Sequence, residues 1–176
     1  MRSPDTDPPA TNLPARLEVA GRAYLLDRAT TDDLPALVAL LTDDPLGILR
    51  ETADLAPYAA AFADIDADPA HLLVVAREAA DDPGTPAPAV ATMQLTLLPC
   101  LARAGARRLQ IEAVRVGVGV RGLGLGAALL DWAHEWGRTH GATLAQLTSD
   151  QRRPDAHRFY ERLGYVASHT GFKRSL

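Results

Sequence analysis

Between Leu109 and Trp136 the sequence changes period, and that change constrains the chain more than any other stretch. Leu109 to Val116 is rich in β-branched and apolar residues, as a strand requires. From Leu125 onward, Leu125, Leu129, Trp132, Ala133 and Trp136 fall on one helical face, with Asp131 and Glu135 opposite. Between them lies Arg121-Gly122-Leu123-Gly124-Leu125-Gly126, with glycine at alternate positions. A helix entered through such a loop presents N–H groups without partners inside the helix, at the positive end of its dipole. Glycine lets that backbone come close to a bulky anion. The stretch reads as a pyrophosphate cradle, although a turn that merely joins strand to helix also accounts for Gly-x-Gly-x-Gly.

Two familiar cradles fit poorly. Gly117-Val118-Gly119-Val120-Arg121-Gly122 matches a loose G-x-G-x-x-G, but it sits late in the chain. The acidic residue that should follow about 20 residues on is missing, since the next strand ends near Asp150. A P-loop is excluded because no Gly-Lys-Ser/Thr follows the glycines. Composition narrows the partners. The chain has 176 residues, enough for one domain with a sizeable core. Its net charge of -4 argues against nucleic acid as a ligand. No apolar run approaches the ~20 residues of a membrane span. A single cysteine, Cys100, and no signal peptide point to a reducing, cytoplasmic setting.

Residues 1–15, rich in proline and acid, are expected as a disordered tail before a domain over 16–176. Arg16 to Asp27 reads as an edge strand, followed by an Asp-capped helix carrying Leu34, Leu37, Val38 and Leu41. A second helix runs roughly from Asp54 to Asp66. Strands follow at His71–Glu78 and Ala89–Leu98, joined by a hairpin-type loop with Pro83-Gly84. Cys100 to Arg108, with Arg103, Arg107 and Arg108, reads as a solvated basic loop. Ala142 to Thr148 is the next strand, and Val166 to Leu176 is expected to supply the last short ones.

Two residues carry chemical interest. On the Leu109–Val116 strand, alternation groups Gln110, Glu112, Val114 and Val116 on one face and Leu109, Ile111, Ala113 and Arg115 on the other. Glu112 is then a carboxylate in a largely apolar strand, four residues before the cradle, where it needs hydration or a partner. A salt-bridged or edge-exposed glutamate satisfies that need; so does a general base that deprotonates an amine. After Pro154, Ala156, Phe159, Tyr160 and Leu163 recur at helical spacing and Gly164 closes the helix. Tyr160 is either a core tyrosine or a proton donor. No H-E-x-x-H occurs and His134 and His140 diverge around a helix, so no metal is expected.

Taken together, Arg121-x-x-Gly124-x-Gly126 and Ala156-x-x-Phe159-Tyr160-x-x-x-Gly164-Tyr165 resemble the GNAT superfamily of N-acetyltransferases. Ile111-Glu112-Ala113-Val114-Arg115-Val116 is similar to a segment of the family's glucosamine-6-phosphate enzymes, with Ala113 replacing an Asp, so that substrate does not carry over. The resemblance implies an α/β GNAT fold with a mixed central sheet flanked by helices, splayed between the strands of Glu112 and Leu144. It implies acetyl transfer from acetyl-CoA to a small-molecule primary amine by direct attack, with Glu112 and Tyr160 catalytic. Val114, Arg115 and Val116 would line the cofactor, with backbone groups of Val114 and Val116 pairing with the pantetheine arm. Arg121 and the amides of Gly122, Leu123, Gly124, Leu125, Gly126 and Ala127 would hold the pyrophosphate, with Arg162 reaching the phosphates. Arg50, Glu51, Tyr58 and His169 are candidates for touching the acceptor. A protein lysine or N-terminal acetyltransferase and a non-catalytic acyl-CoA sensor remain alternatives, and a homodimer is compatible with the family.

Overall fold

A computed structural model describes residues 12–43, 46–79 and 87–176. The segment expected as one edge strand is a hairpin, β1 (Ala15–Val19) and β2 (Arg22–Arg28), with Val19 opposite Arg22. Ala20 and Gly21 form its two-residue loop at φ 51° and 75°. Two successive positive φ values match the right-handed twist of the strands they join. The single-strand reading missed the loop because Ala-Gly is a weak turn signal. Of the expected tail, residues 1–11 lie outside the described residues, whereas Ala15 is already buried in β1.

Thr30 opens the helical layer. Its N–H donates to the Asp33 carboxylate at 2.9 Å, and α1 (Leu34–Thr42) follows. Asp33 also pairs with Arg77 of β3 (His71–Glu78), a buried ion pair that ties the helix entry to the sheet. α2 (Ala56–Ala67) follows a loop and comes within a residue or two of its expected span. The hairpin-type loop before β4 (Ala89–Pro99) falls largely on 80–86, outside the described residues.

The basic stretch 100–108 is a turn as far as Ala106, and its last two arginines, Arg107 and Arg108, already belong to a strand. β4 extends to Pro99 and β5 (Arg107–Val116) begins two residues after a tight turn over Ala102–Gly105. Arg107 donates to the His140 carbonyl at 2.8 Å, and Arg108 to Gln146 Oε1 at 3.3 Å. α3 (Leu125–Thr139), β6 (Ala142–Leu147) and α4 (Pro154–Arg162) complete the elements. No strand forms over 166–176, and among the described residues the sheet ends at β6. Val166 and Phe172 are 80% and 92% exposed there. Between them stand only alanine, serine, histidine, threonine and glycine, so the segment has few apolar side chains to bury and pairing would gain little.

The six strands lie in chain order, antiparallel through β5, with β6 parallel to β5. One face carries the main core: Leu125, Leu129, Leu130, Trp132, Ala133 and Trp136 of α3 against Leu26, Val74, Met93, Leu95, Leu109 and Ile111. The helical face read from the sequence is the face that is buried. On the other face α1 and α2 lie over β3 and β4, where Leu34, Leu37, Leu40 and Phe62 meet Val75. Neither helix packs on β6. That face of β5 and β6 is accordingly polar, and Gln146 donates to Gln110 across it at 2.7 Å.

Candidate active site

The sheet parts where the splay was expected. β5 pairs with β6 from Arg107 to Ile111, Ile111 facing Leu147, and residues 112–116 run on with β4 alone. Just there the register of β5 slips. Thr92 faces Arg115 and Gln94 faces Glu112, so Met93 stands opposite two residues, Ala113 and Val114. Ala113 accommodates the extra residue at φ 51°. Such a bulge bends the strand and increases its twist.

The bulge also overturns the face assignment made from alternation. Arg115 shares a face with Glu112, while Val114 and Val116 join Leu109 and Ile111 on the core side. One inserted residue reverses the parity of everything after it. Glu112 is exposed on the uncovered face and has no ion pair among the described residues.

Main-chain groups follow the same logic. Gly117 donates to the Val90 carbonyl at 2.8 Å, so strand alternation turns Val114 and Val116 toward the parted side. Two guanidinium groups meet them there. Arg115 Nη1 lies 2.9 Å from the Val114 carbonyl and Arg121 Nε 2.7 Å from that of Val116. The Arg115 main chain, by contrast, pairs with Thr92 in the ladder, so this residue meets the site through its side chain.

The glycines of the cradle divide the work. Gly122 and Gly124 adopt φ of 80° and 94°, open to glycine at little cost. Gly126 packs closely, since a Cβ there would touch the Phe159 ring at 3.4 Å and Val116 at 3.6 Å, leaving little room for anything larger. The amides of residues 122–126 have no carbonyl partner among the described residues, whereas those of Ala127 and Ala128 both donate to the Gly124 carbonyl at 3.1 Å. Ala127, expected in the cradle, is thus already engaged by the helix. Five N–H groups at the start of a 15-residue helix form a concave donor set suited to a diphosphate.

Tyr160 lies on α4, packed against the main core. It packs beside Phe159 and Tyr165, with ring centroids 5.2 and 5.8 Å away. Burial pushes the phenol up from its ordinary pKa, against a smaller downward pull from Arg115 and Arg153. Tyr165, raised mainly by burial as well, hydrogen-bonds His134 Nε2 at 2.7 Å. Among these groups the donor side of the site is neutral and protonated at ordinary pH.

The remaining candidates separate. Arg50 crosses the opening to Asp150, 2.9 Å away, which Arg152 holds through two further contacts of 3.0 Å. These hydrogen bonds, Arg152's first, hold the Asp150 carboxyl well below the usual range. Glu51 accepts from the Tyr58 hydroxyl at 2.8 Å, so that pair braces its own loop. Arg162 is exposed in the last turn of α4, and His169 lies in the exposed C-terminal segment beside Ser168. Asp43 and Asp150 were not singled out in the sequence. Only Asp150 carried a signal, standing between a strand end and a Pro-initiated helix beside two arginines. No group of three metal-ligating side chains forms among the described residues. No helix there is long and apolar enough to cross a membrane.

Residues 22–165 match the acetyltransferase (GNAT) family model, and the chain belongs to that family. It is 38% identical to a solved structure described as a transcriptional regulator from Bacillus halodurans C-125, over 87% of this chain and 99% of that one, with TM-score 0.78. A putative acetyltransferase from Agrobacterium tumefaciens is 30% identical over 86% and 99% of the two chains, with TM-score 0.69. A 57-residue stretch is 47% identical to the aminoalkylphosphonate N-acetyltransferase of Salmonella typhimurium, covering 32% of this chain. That match spans only 37% of the curated relative's length.

Proposed function

We propose that the protein transfers the acetyl group of acetyl-CoA to the primary amine of a small molecule by direct attack. The observation that supports this most is the meeting, in a GNAT chain, of the amides of 122–126 with the edge of β5 that β6 leaves after Ile111, where Arg115 and Arg121 side chains now hold the Val114 and Val116 carbonyls. The residues present fit the carrier, since the amides of 122–126 have no carbonyl partner among the described residues and Gly122 and Gly124 hold the positive φ that turns them to one side. Arg121 and the amides of Gly122, Leu123, Gly124, Leu125 and Gly126 hold the diphosphate, with Arg162 available to an outer phosphate. The main chain of Val114 and Val116 orients the arm along β5, as an added strand is oriented.

Acetyl-CoA supplies the acetyl group as a thioester, activated for transfer to nitrogen. Glu112 accepts the proton of the incoming ammonium, directly or through water, which frees the nitrogen lone pair. As the new C–N bond forms and the C–S bond breaks, Tyr160 gives its proton to the departing sulfur. The second nitrogen proton then makes up the loss at the phenol. The balance is one amide, one thiol and one proton released to solvent. Positioning and backbone polarisation of the carbonyl provide most of the acceleration. Cys100 stands apart from these elements, and no covalent enzyme intermediate is invoked.

Calorimetric titration with acetyl-CoA, followed by a thiol-release assay across amines, tests the proposal. Binding with turnover supports it. Binding without turnover by any amine would instead favour a sensor role.

A further inference from the structure

A hydrogen-bonded row crosses the uncovered face of the sheet, and its direction is fixed from one end. Arg108 Nη1 donates to Gln146 Oε1 at 3.3 Å, and Gln146 Nε2 donates to Gln110 Oε1 at 2.7 Å. A guanidinium can only donate, so Gln146 must turn its oxygen to Arg108 and its nitrogen to Gln110. Gln110 must in turn give its oxygen to Gln146, which leaves its Nε2 for something else. That nitrogen has no hydrogen-bond partner among the described residues and is not closed off from solvent. Thr96, its cross-strand neighbour, is engaged instead with His71 Nδ1 at 2.9 Å.

Gln110 and Glu112 share this face of β5 two residues apart, about 7 Å along a strand. A carboxylate that takes a proton therefore stands beside an amide that offers one. An amine whose skeleton carries an oxygen a few bonds from the nitrogen can meet both. A plain alkylamine instead strips water from the Gln110 N–H and leaves it without a partner. A group that only donates gains nothing at Gln110, whose oxygen is already occupied. The selection is for an oxygen that accepts.

We propose that Gln110 is a specificity-determining residue, and that the acceptor is a primary amine bearing a hydrogen-bond-accepting oxygen a few bonds from its nitrogen. The nitrogen is presented to Glu112 and the oxygen to Gln110 Nε2. Gln146 and Arg108 are positioning residues that hold the Gln110 amide in its donating orientation. This rests on the transfer reading above and adds the acceptor's class to it.

The test uses the full chain with acetyl-CoA and four amines: methoxyethylamine, whose ether oxygen only accepts, its isostere butylamine, ethanolamine and β-alanine. Methoxyethylamine should exceed butylamine in kcat/KM by about threefold to tenfold, the net worth of one hydrogen bond. Comparing β-alanine with ethanolamine assigns the favoured oxygen as anionic or neutral. Gln110→Leu should abolish the preference for methoxyethylamine. Gln146→Glu is the sharper variant, because it keeps a partner for Arg108 and can no longer donate to Gln110. The Gln110 amide then turns over, donates to the new carboxylate and presents its oxygen. The preference for methoxyethylamine should vanish there too, while ethanolamine, which can also donate, should lose less. Thermal melts check that each variant is folded, and calorimetry of each amine on the enzyme saturated with CoA should show the same ranking without turnover. Butylamine matching methoxyethylamine in the parent would overturn the inference while leaving acetyl transfer intact, as would an unchanged preference in Gln146→Glu. Loss of turnover with every amine would overturn the transfer reading, and the calorimetric ranking would still decide the acceptor class.

Discussion

Arg121 and Asp43 are joined across the mouth of the cradle, guanidinium to carboxylate at 2.8 Å and to the Asp43 carbonyl at 2.9 Å. The same guanidinium holds the Val116 carbonyl, so one side chain fastens the end of α1 to the end of β5. A diphosphate must draw Arg121 away from Asp43. The pair is 46% and 43% exposed, and pairs so placed contribute less than about 1 kcal/mol. Asp43→Asn is therefore expected to tighten CoA binding about two- to fivefold. Arg121→Ala should weaken it. Calorimetric titration of CoA decides, and looser binding by Asp43→Asn would show that the pair prepares Arg121 rather than competes for it.

Two cradle glycines should fail in different ways. Gly124 sits at φ 94°, with Val19 Cγ1 3.4 Å from where its Cβ would be. Gly124→Ala is expected to cost about 1–2 kcal/mol, or roughly 2–8 °C in Tm. Gly126 has ordinary backbone angles, and its substitution instead drives a side chain against Phe159. Gly126→Val should lower CoA affinity about tenfold or more, with a smaller stability loss, since it closes the donor set. Paired thermal melts and titrations separate the two effects.

What could be read from the sequence follows from period. The buried face of α3 was legible because Leu125, Leu129, Trp132, Ala133 and Trp136 repeat at helical spacing and all are buried. The splay after Ile111 was legible only through family resemblance, since hydrogen-bond partners leave no mark on composition. The Ala113 bulge was not legible. Alanine seldom adopts positive φ, and an unbroken apolar strand gave no reason to insert a residue. Arg121 was read as a phosphate ligand without its partner because Asp43 lies 78 residues away. The outer strands at 166–176 were expected from the family and have no alternation of their own to support them.

Glu112 and Tyr160 are expected to govern the chemical step and not the carrier's affinity. Glu112→Gln should lower kcat by about 10²–10⁴, and Tyr160→Phe should lower it by a smaller factor, with CoA binding little altered. A titration that finds CoA binding lost in either variant would place the residue in the binding site instead.

Tyr160 also sets an alkaline limit. Its folded pKa is raised, chiefly by burial, above the ordinary value near 10. On raising the pH, the unfolded chain loses this proton first. The contribution to stability is therefore complete below about pH 10 and declines from there toward the folded value. Melting profiles between neutral pH and pH 11 should fall on the alkaline side, with a shallower fall in Tyr160→Phe. Below that limit, the rate should show no loss assignable to Tyr160 ionisation. An activity decline near pH 8 that vanishes in Tyr160→Phe would contradict this.

Ala113 allows the bend itself to be tested apart from the faces it arranges. Its φ of 51° strains a side chain, so Ala113→Gly should leave Tm within about 2–4 °C of the parent, relief of strain offsetting the looser unfolded chain. A β-branched residue fits this conformation worst, and Ala113→Val should cost more than about 1–2 kcal/mol. Deletion of Ala113 is the sharper variant. Without it, Glu112, Val114 and Arg115 alternate regularly opposite Gln94, Met93 and Thr92, so Glu112 and Arg115 keep their common face. Only the bend is removed, and with it the departure of residues 114–116 from β6. The deletion variant should fold, keep the polar face, and lose CoA affinity about tenfold or more because the edge of β5 after Ile111 is no longer presented. Undiminished affinity in a well-folded deletion variant would mean that the end of pairing at Ile111 opens the site without the bulge.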